Sequence, residues 1–192
     1  RHLVICHNAT IDETSDGHGT IAEMTWQELQ RYDFGSYLSP RFAGVRLPEL
    51  PELLDLTNQL APGLFHLVEL KINSVEMGEA VLAELFRRRM TGRFTLVSFH
   101  LPLLIELKRR HPQIMTHANP DCALTAFVYE DYRTFDSVGL WRERVTPEVA
   151  AGFHAVGVAV DAWTVDTAAE FDRQQRNGVD SVTSNCPATI IE

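Results

Sequence analysis

The residues of this chain that could do chemistry fall at the ends of apolar runs. His7 follows Leu-Val-Ile-Cys, Glu69 and Lys71 close His-Leu-Val-Glu-Leu-Lys, Ser98 closes Phe-Thr-Leu-Val, and Trp163-Thr164 close Val-Ala-Val-Asp-Ala. An imidazole titrates near neutrality and can hand a proton to, or take one from, a reacting oxygen. Glu69 and Lys71 are two apart, so on a strand they share a side. They are either a plain ion pair or a used one, since a charged pair in the mouth of a site costs several kcal/mol of desolvation unless something such as a metal employs it. Trp163 is either a packing aromatic or a pocket wall. Ser98 lacks a Gly-x-Ser-x-Gly elbow, which argues against a serine nucleophile. His66, His100, His111, His117 and His154 show no ligand spacing such as His-Glu-x-x-His. Gly17 and Gly19 make "DGHG" a tight turn, and no phosphate loop of either common type is present.

Those run ends need a scaffold that brings them together. Short apolar runs alternate with amphipathic stretches along the chain. Strands are predicted at Leu3–Cys6, in "LFHLVELK", "FTLVSF", "CALTAFVY" and "VAVDAWTV", and in "VDSVTS". Between them, Thr25 with Glu28 makes a capping box before a short helix, and "LPELPELLDLTNQL" confines its prolines to the early turns of the next. Val75 to Met90 and Pro102 to His111 read as helices, as do stretches opened by Thr146-Pro147 and by Thr167 with Glu170 and closed by Gly157 and Gly178. About six strand-then-helix units without a linker or repeat predict one α/β domain over residues 1–192 with parallel strands. Such an arrangement sets all the strand ends on one side, where a β/α barrel or a doubly wound sheet keeps its site.

Bulk properties narrow the partners. With 17 Lys and Arg against 26 Asp and Glu, the chain has a formal charge of -9, which disfavours nucleic acid and anionic lipid surfaces. A small anionic substrate would need a local cation. No run is long enough to cross a bilayer. Cys6, Cys122 and Cys186 form no disulfide framework or zinc motif and fit a reducing cytoplasm.

The segment "LVICHNATIDETSDGHGTI" followed by "MTWQELQRYDFGSYLSPRFAGVRLPELPELLDL" resembles the glycerophosphodiester phosphodiesterases, in which a strand ending in His-Asp leads to an Asp-Arg-Thr-Thr-Asn-Gly turn and a Thr-x-x-Glu-Leu helix start. "VELK", "VSF", "AWTVD" and "GVDSVTSNCP" resemble that family's Glu-x-Lys, Ser-Phe, Trp-Thr-Val-Asn and Thr-Asp-x-Pro signatures in order. The resemblance implies an eight-stranded β/α barrel of the TIM type and metal-dependent hydrolysis of glycerophosphodiesters to an alcohol and glycerol 3-phosphate. It implies a divalent cation, Mg or Ca, and catalysis by two histidines. Carried over, His7 would be the second acid/base histidine, Glu69 a metal ligand, Lys71 a cation near the phosphate, and Trp163 part of the substrate pocket.

Several residues depart from the pattern: Asn8 stands for Asp, Glu13 for Arg, Glu49 for Thr, Asp166 for Asn and Asn185 for Asp. The family's opening His-Arg-Gly strand and its Glu-x-Asp strand, with the other histidine and two carboxylates, have no counterpart here. The reading is therefore a barrel with about its first two βα units absent, inactive by itself and active if an upstream segment exists. Two alternatives stay open: a non-catalytic barrel fragment or binding module, and a lysophospholipid- or sphingolipid-cleaving phosphodiesterase on the same barrel.

Overall fold

Residues 2–124 and 126–191 are described by the computed structural model. The chain divides into two compact units, one of Arg1–Leu64 with Ala80–Met90 and one of Phe65–Glu79 with Thr91–Glu192.

The first unit is built of turns and short helices. Thr25 caps α1 (Trp26–Leu29) through the predicted box: its hydroxyl oxygen accepts from the Glu28 amide, and the Glu28 carboxylate accepts from the Thr25 amide. α2 (Leu50–Leu60) starts at Glu49, with Pro51 in its first turn where a missing N–H costs nothing. Ile11, Leu29 and Leu47 form a small core on which Val4, Cys6, Ile21, Met24, Tyr32 and Phe34 pack. Leu3–Cys6 is not a sheet strand, as predicted, but an extended segment with one antiparallel bridge, Val4 to Glu49. The Ile5 amide donates to Pro48 O at 3.0 Å and the Leu50 amide to Leu3 O at 2.7 Å. Its apolar character serves this core rather than a parallel ladder.

The second unit carries six parallel strands hydrogen-bonded in sequence order: β1 (His66–Glu69), β2 (Phe94–Ser98), β3 (Met115–Ala118), β4 (Ser137–Trp141), β5 (Ala159–Trp163) and β6 (Ser181–Thr183). Between them run α3 (Val75–Arg87), α4 (Leu101–Arg110), α5 (Pro147–Ala155) and α6 (Ala168–Asn177), and α7 (Ala188–Ile191) follows β6. The first turn of α3 counts with this unit. The predicted α/β class with parallel strands is thus present, with six strands among the described residues. Thr146 and Thr167 cap α5 and α6 through their hydroxyl oxygens, and Gly178 ends α6 in the left-handed region at φ 85°.

A second predicted strand is misplaced. "CALTAFVY" contains no strand among its described residues; Thr125 lies outside them. Phe127 and Tyr129 pack against Phe153 of α5, with ring centroids 5.1 and 5.0 Å apart, so their hydrophobicity reports core contact with a helix. The strands of this region are β3 and β4, on either side of it.

Residues paired in register across a parallel sheet point to the same side. One face carries Leu96, Thr116, Ala118, Val138, Leu140, Val160 and Ala162, all buried. The other face carries Glu69, Val97, His117, Ser137, Gly139, Asp161, Trp141, Trp163 and Thr183. No helix of the described residues is long and apolar enough to cross a membrane.

Candidate functional site

At the end of β1 the two-residue spacing of Glu69 and Lys71 gives contact: Lys71 Nζ lies 2.8 Å from Glu69 Oε2, with both side chains partly exposed. Ser98, ending β2, is buried and structural. Its hydroxyl donates to Leu70 O at 3.0 Å and accepts from the His100 amide. Trp163, ending β5, stands edge-on to Trp141 of β4 at 5.6 Å and to Phe99 at 6.0 Å between ring centroids. Trp141 and Trp163 border a cleft of about 530 Å³ that is also lined by Cys122, Glu143 and Arg144.

Deeper on the same sheet face lies a polar group that the sequence reading passed over. His117 of β3 is 5% exposed, and its Nδ1 is 2.8 Å from Ser137 Oγ. Burial pushes its imidazole down to about 4, with the neighbouring Asn119 amide opposing the shift. Asp161 of β5 is 4% exposed and accepts from the hydroxyls of Ser181 at 2.7 Å and Thr183 at 3.0 Å. Burial raises its carboxyl, and the two hydroxyls partly offset that. Gly139 of β4 makes room for the histidine: a Cβ there would stand 2.3 Å from Asn119 Oδ1 and 2.4 Å from His117 Nε2. Only the register reveals this group, because its members come from four strands.

His7 belongs to the first unit and is exposed. Its Nδ1 lies 2.7 Å from Asn8 Oδ1, and Asn8 Nδ2 donates to Glu13 Oε2 at 2.6 Å. An ionised carboxylate only accepts, so Glu13 fixes the Asn8 amide with its oxygen toward the ring. That oxygen in turn requires a proton on Nδ1 and leaves Nε2 outside this bond.

A family profile described as the glycerophosphoryl diester phosphodiesterase family matches residues 1–189. The chain belongs to that family. A glycerophosphodiester phosphodiesterase of Caldanaerobacter subterraneus is 27% identical over 99% of this chain and 79% of its own length. A candidate glycerophosphoryl diester phosphodiesterase from Silicibacter pomeroyi, solved crystallographically, is 27% identical with a TM-score of 0.84, covering 97% of this chain and 76% of that one. An Oleispira antarctica phosphodiesterase in complex with sn-glycerol-3-phosphate shares the fold, with a TM-score of 0.82 at 22% identity over 98% of this chain and 77% of that one.

For a member of the glycerophosphoryl diester phosphodiesterase family, the test of a cation site is whether hard donors converge. Among the described residues no three His, Cys, Asp or Glu side chains are placed to hold a metal. Glu69, the ligand expected from the resemblance, has its carboxylate against Lys71. The described residues do not by themselves fit a divalent cation. Two of the departures from the family pattern contact each other after β5 and β6: the Asn185 backbone N–H and side-chain amide donate to the Asp166 carboxylate at 2.7 and 3.0 Å, which holds that carboxyl below its usual range.

Proposed function

We propose that the protein hydrolyses glycerophosphodiesters to glycerol 3-phosphate and an alcohol. The observation that carries this reading is the family match over residues 1–189, with a curated relative of that activity aligned along 99% of the chain. In the proposed reaction Lys71 lends its ammonium to a non-bridging phosphoryl oxygen, and Glu69 holds that ammonium in place. His7, its Nδ1–H committed to Asn8, moves a proton at the departing or attacking oxygen through Nε2. Trp163 walls the substrate cleft. In its finer form this reading places the six parallel strands in a closed eight-stranded barrel.

The test is glycerol 3-phosphate release from glycerophosphoglycerol and glycerophosphocholine by the full-length protein. Release is expected, and His7→Ala should lower turnover by about 10² to 10⁴, the usual worth of a general acid or base. Because His7 is exposed, the melting temperature should not move. A protein that turns over neither diester, or a His7→Ala variant with full activity, would end this reading.

A further inference from the structure

In a chain with 26 acidic residues against 17 basic ones, a phosphate-bearing ligand meets an unfavourable field unless a cation waits for it locally. The turn after β4 supplies Arg142 and Arg144, and α6 supplies Arg173; among the described residues two of these three are paired with carboxylates. Arg173 grips Glu143 with two nitrogens at 3.0 and 2.9 Å, which holds Glu143 below its usual carboxylate range. Arg142 reaches Glu170 at 3.1 Å and Glu143 at 3.4 Å, and it donates to Thr164 O at 2.7 Å. Arg144, two residues on in the same short turn, is half-buried and lines the cleft beside the tryptophans; among the described residues no carboxylate or carbonyl answers its guanidinium. A rigid five-donor fork facing a cleft with its matching anion missing is suited to an oxyanion.

The aromatic walls point the same way. A cation held by tryptophan needs a free ring face. The face of Trp141 already carries the Arg142 guanidinium 4.6 Å from its centroid, and Trp163 meets Trp141 edge-on, at 71° between planes. One face of Trp141 is thus already taken, and the open guanidinium of Arg144 suits a negatively charged group.

We propose that Arg144 is the oxyanion-binding residue of this cleft, taking a phosphate or carboxylate oxygen of the substrate between the walls formed by Trp141 and Trp163. The identity of that substrate as a glycerophosphodiester rests on the function proposed above; the binding does not. The oxyanion is either the diester phosphate or a second anionic group on the alcohol side.

The decisive experiment is calorimetric titration of the full-length protein and its Arg144→Gln variant with sn-glycerol 3-phosphate. Binding should weaken at least about tenfold in Arg144→Gln, and Arg144→Lys, which keeps the charge but loses the fork, should fall between. Two further substrates then locate the oxyanion. Loss of kcat/KM on glycerophosphocholine and glycerophosphoinositol phosphate alike assigns Arg144 to the diester phosphate, and loss confined to the phosphorylated headgroup assigns it to the alcohol side. Equal glycerol 3-phosphate affinity in wild type and Arg144→Gln, together with equal kcat/KM on both substrates, overturns the proposal. Should the variant fail to fold, the Nε–Hε resonance of Arg144 in the wild-type protein decides: it must shift on adding glycerol 3-phosphate or glycerophosphoinositol phosphate, and a peak that stays put with both rejects the site. A protein that binds glycerol 3-phosphate through Arg144 yet cleaves no glycerophosphodiester would keep this inference and end the proposed activity.

Discussion

Asn8 and Glu13 are each unremarkable alone, yet each stands where the resembling family carries a residue of different charge, and the two touch at 2.6 Å. Asp166 and Asn185 repeat the situation with the acid and the amide exchanged. Departures that come in contacting pairs preserve an interaction rather than lose it. For the first pair the consequence reaches His7, whose ring is oriented by Asn8. Changing Asn8→Asp alone would set two carboxylates side by side, and like charges at hydrogen-bond distance repel. The single variant should lose about tenfold in kcat, and adding Glu13→Arg should restore most of it through a coupling of about 1 kcal/mol or more. The nitrogen-15 shifts of the His7 ring should show Nδ1 protonated in wild type and in the double variant. Equal activity of single and double variants would refute the relay. The spacing of Glu69 and Lys71 made that pair legible beforehand, because strand geometry alone brings residues two apart to one side. The Asn8–Glu13 bond was not legible: a loop sets it, and loop paths leave no periodic trace.

At the scale of elements, the helices were readable because their signals are local. Thr25 with Glu28, and Thr146, Thr167 and Gly178 at their caps, act within one turn of the chain, and each does in the structure what its type suggests. Strands fared worse because an apolar run states only that its side chains are buried, not against what. Leu3–Cys6 is buried against turns and Phe127–Tyr129 against a helix, while Ser137–Trp141, whose small and polar residues alternate with Val138 and Leu140, is a central strand. Gly139 shows why that strand was absent from the predicted ones. Its missing side chain is the space occupied by Asn119 and by His117, whose ring Ser137 holds, so the residue least typical of a strand is required by its neighbours. Gly139→Ala should destabilise the protein by about 1 to 3 kcal/mol, as overpacking of a filled site does. Chemical denaturation measures it, and the loss should shrink in a background of His117→Ala. A cost below about 0.5 kcal/mol would mean that the two side chains have slack and that the packing argument is wrong.

For the molecule as a whole, the buried groups of the sheet divide the acid limb of stability into two stages. His117 has a folded value of about 4 against an ordinary 6.5, so between these limits the unfolded chain takes up a proton that the native state refuses. Stability falls as pH drops from about 6.5 toward 4, by about 3 kcal/mol in all at 1.36 kcal/mol per pH unit, and this contribution is flat outside that window. Asp161 acts with the opposite sign. Its raised carboxyl contributes stability that is fully present below the ordinary 3.8 and lost as pH rises through the folded value, so acidification relieves its burial. The exposed carboxylates held low by arginines, such as Glu106 at about 2, begin to lose their partners only below the ordinary 4.5. Between pH 6.5 and 4.5, then, His117 is the group that weakens the fold. Urea unfolding at pH 7, 6 and 5 should show wild type losing about 2 kcal/mol across that range, while His117→Gln, which keeps a polar side chain but cannot be protonated, stays nearly level. If His117→Gln loses stability in parallel with wild type, the histidine is not the titrating group, and the sheet face that carries it is more open to water than its 5% exposure states.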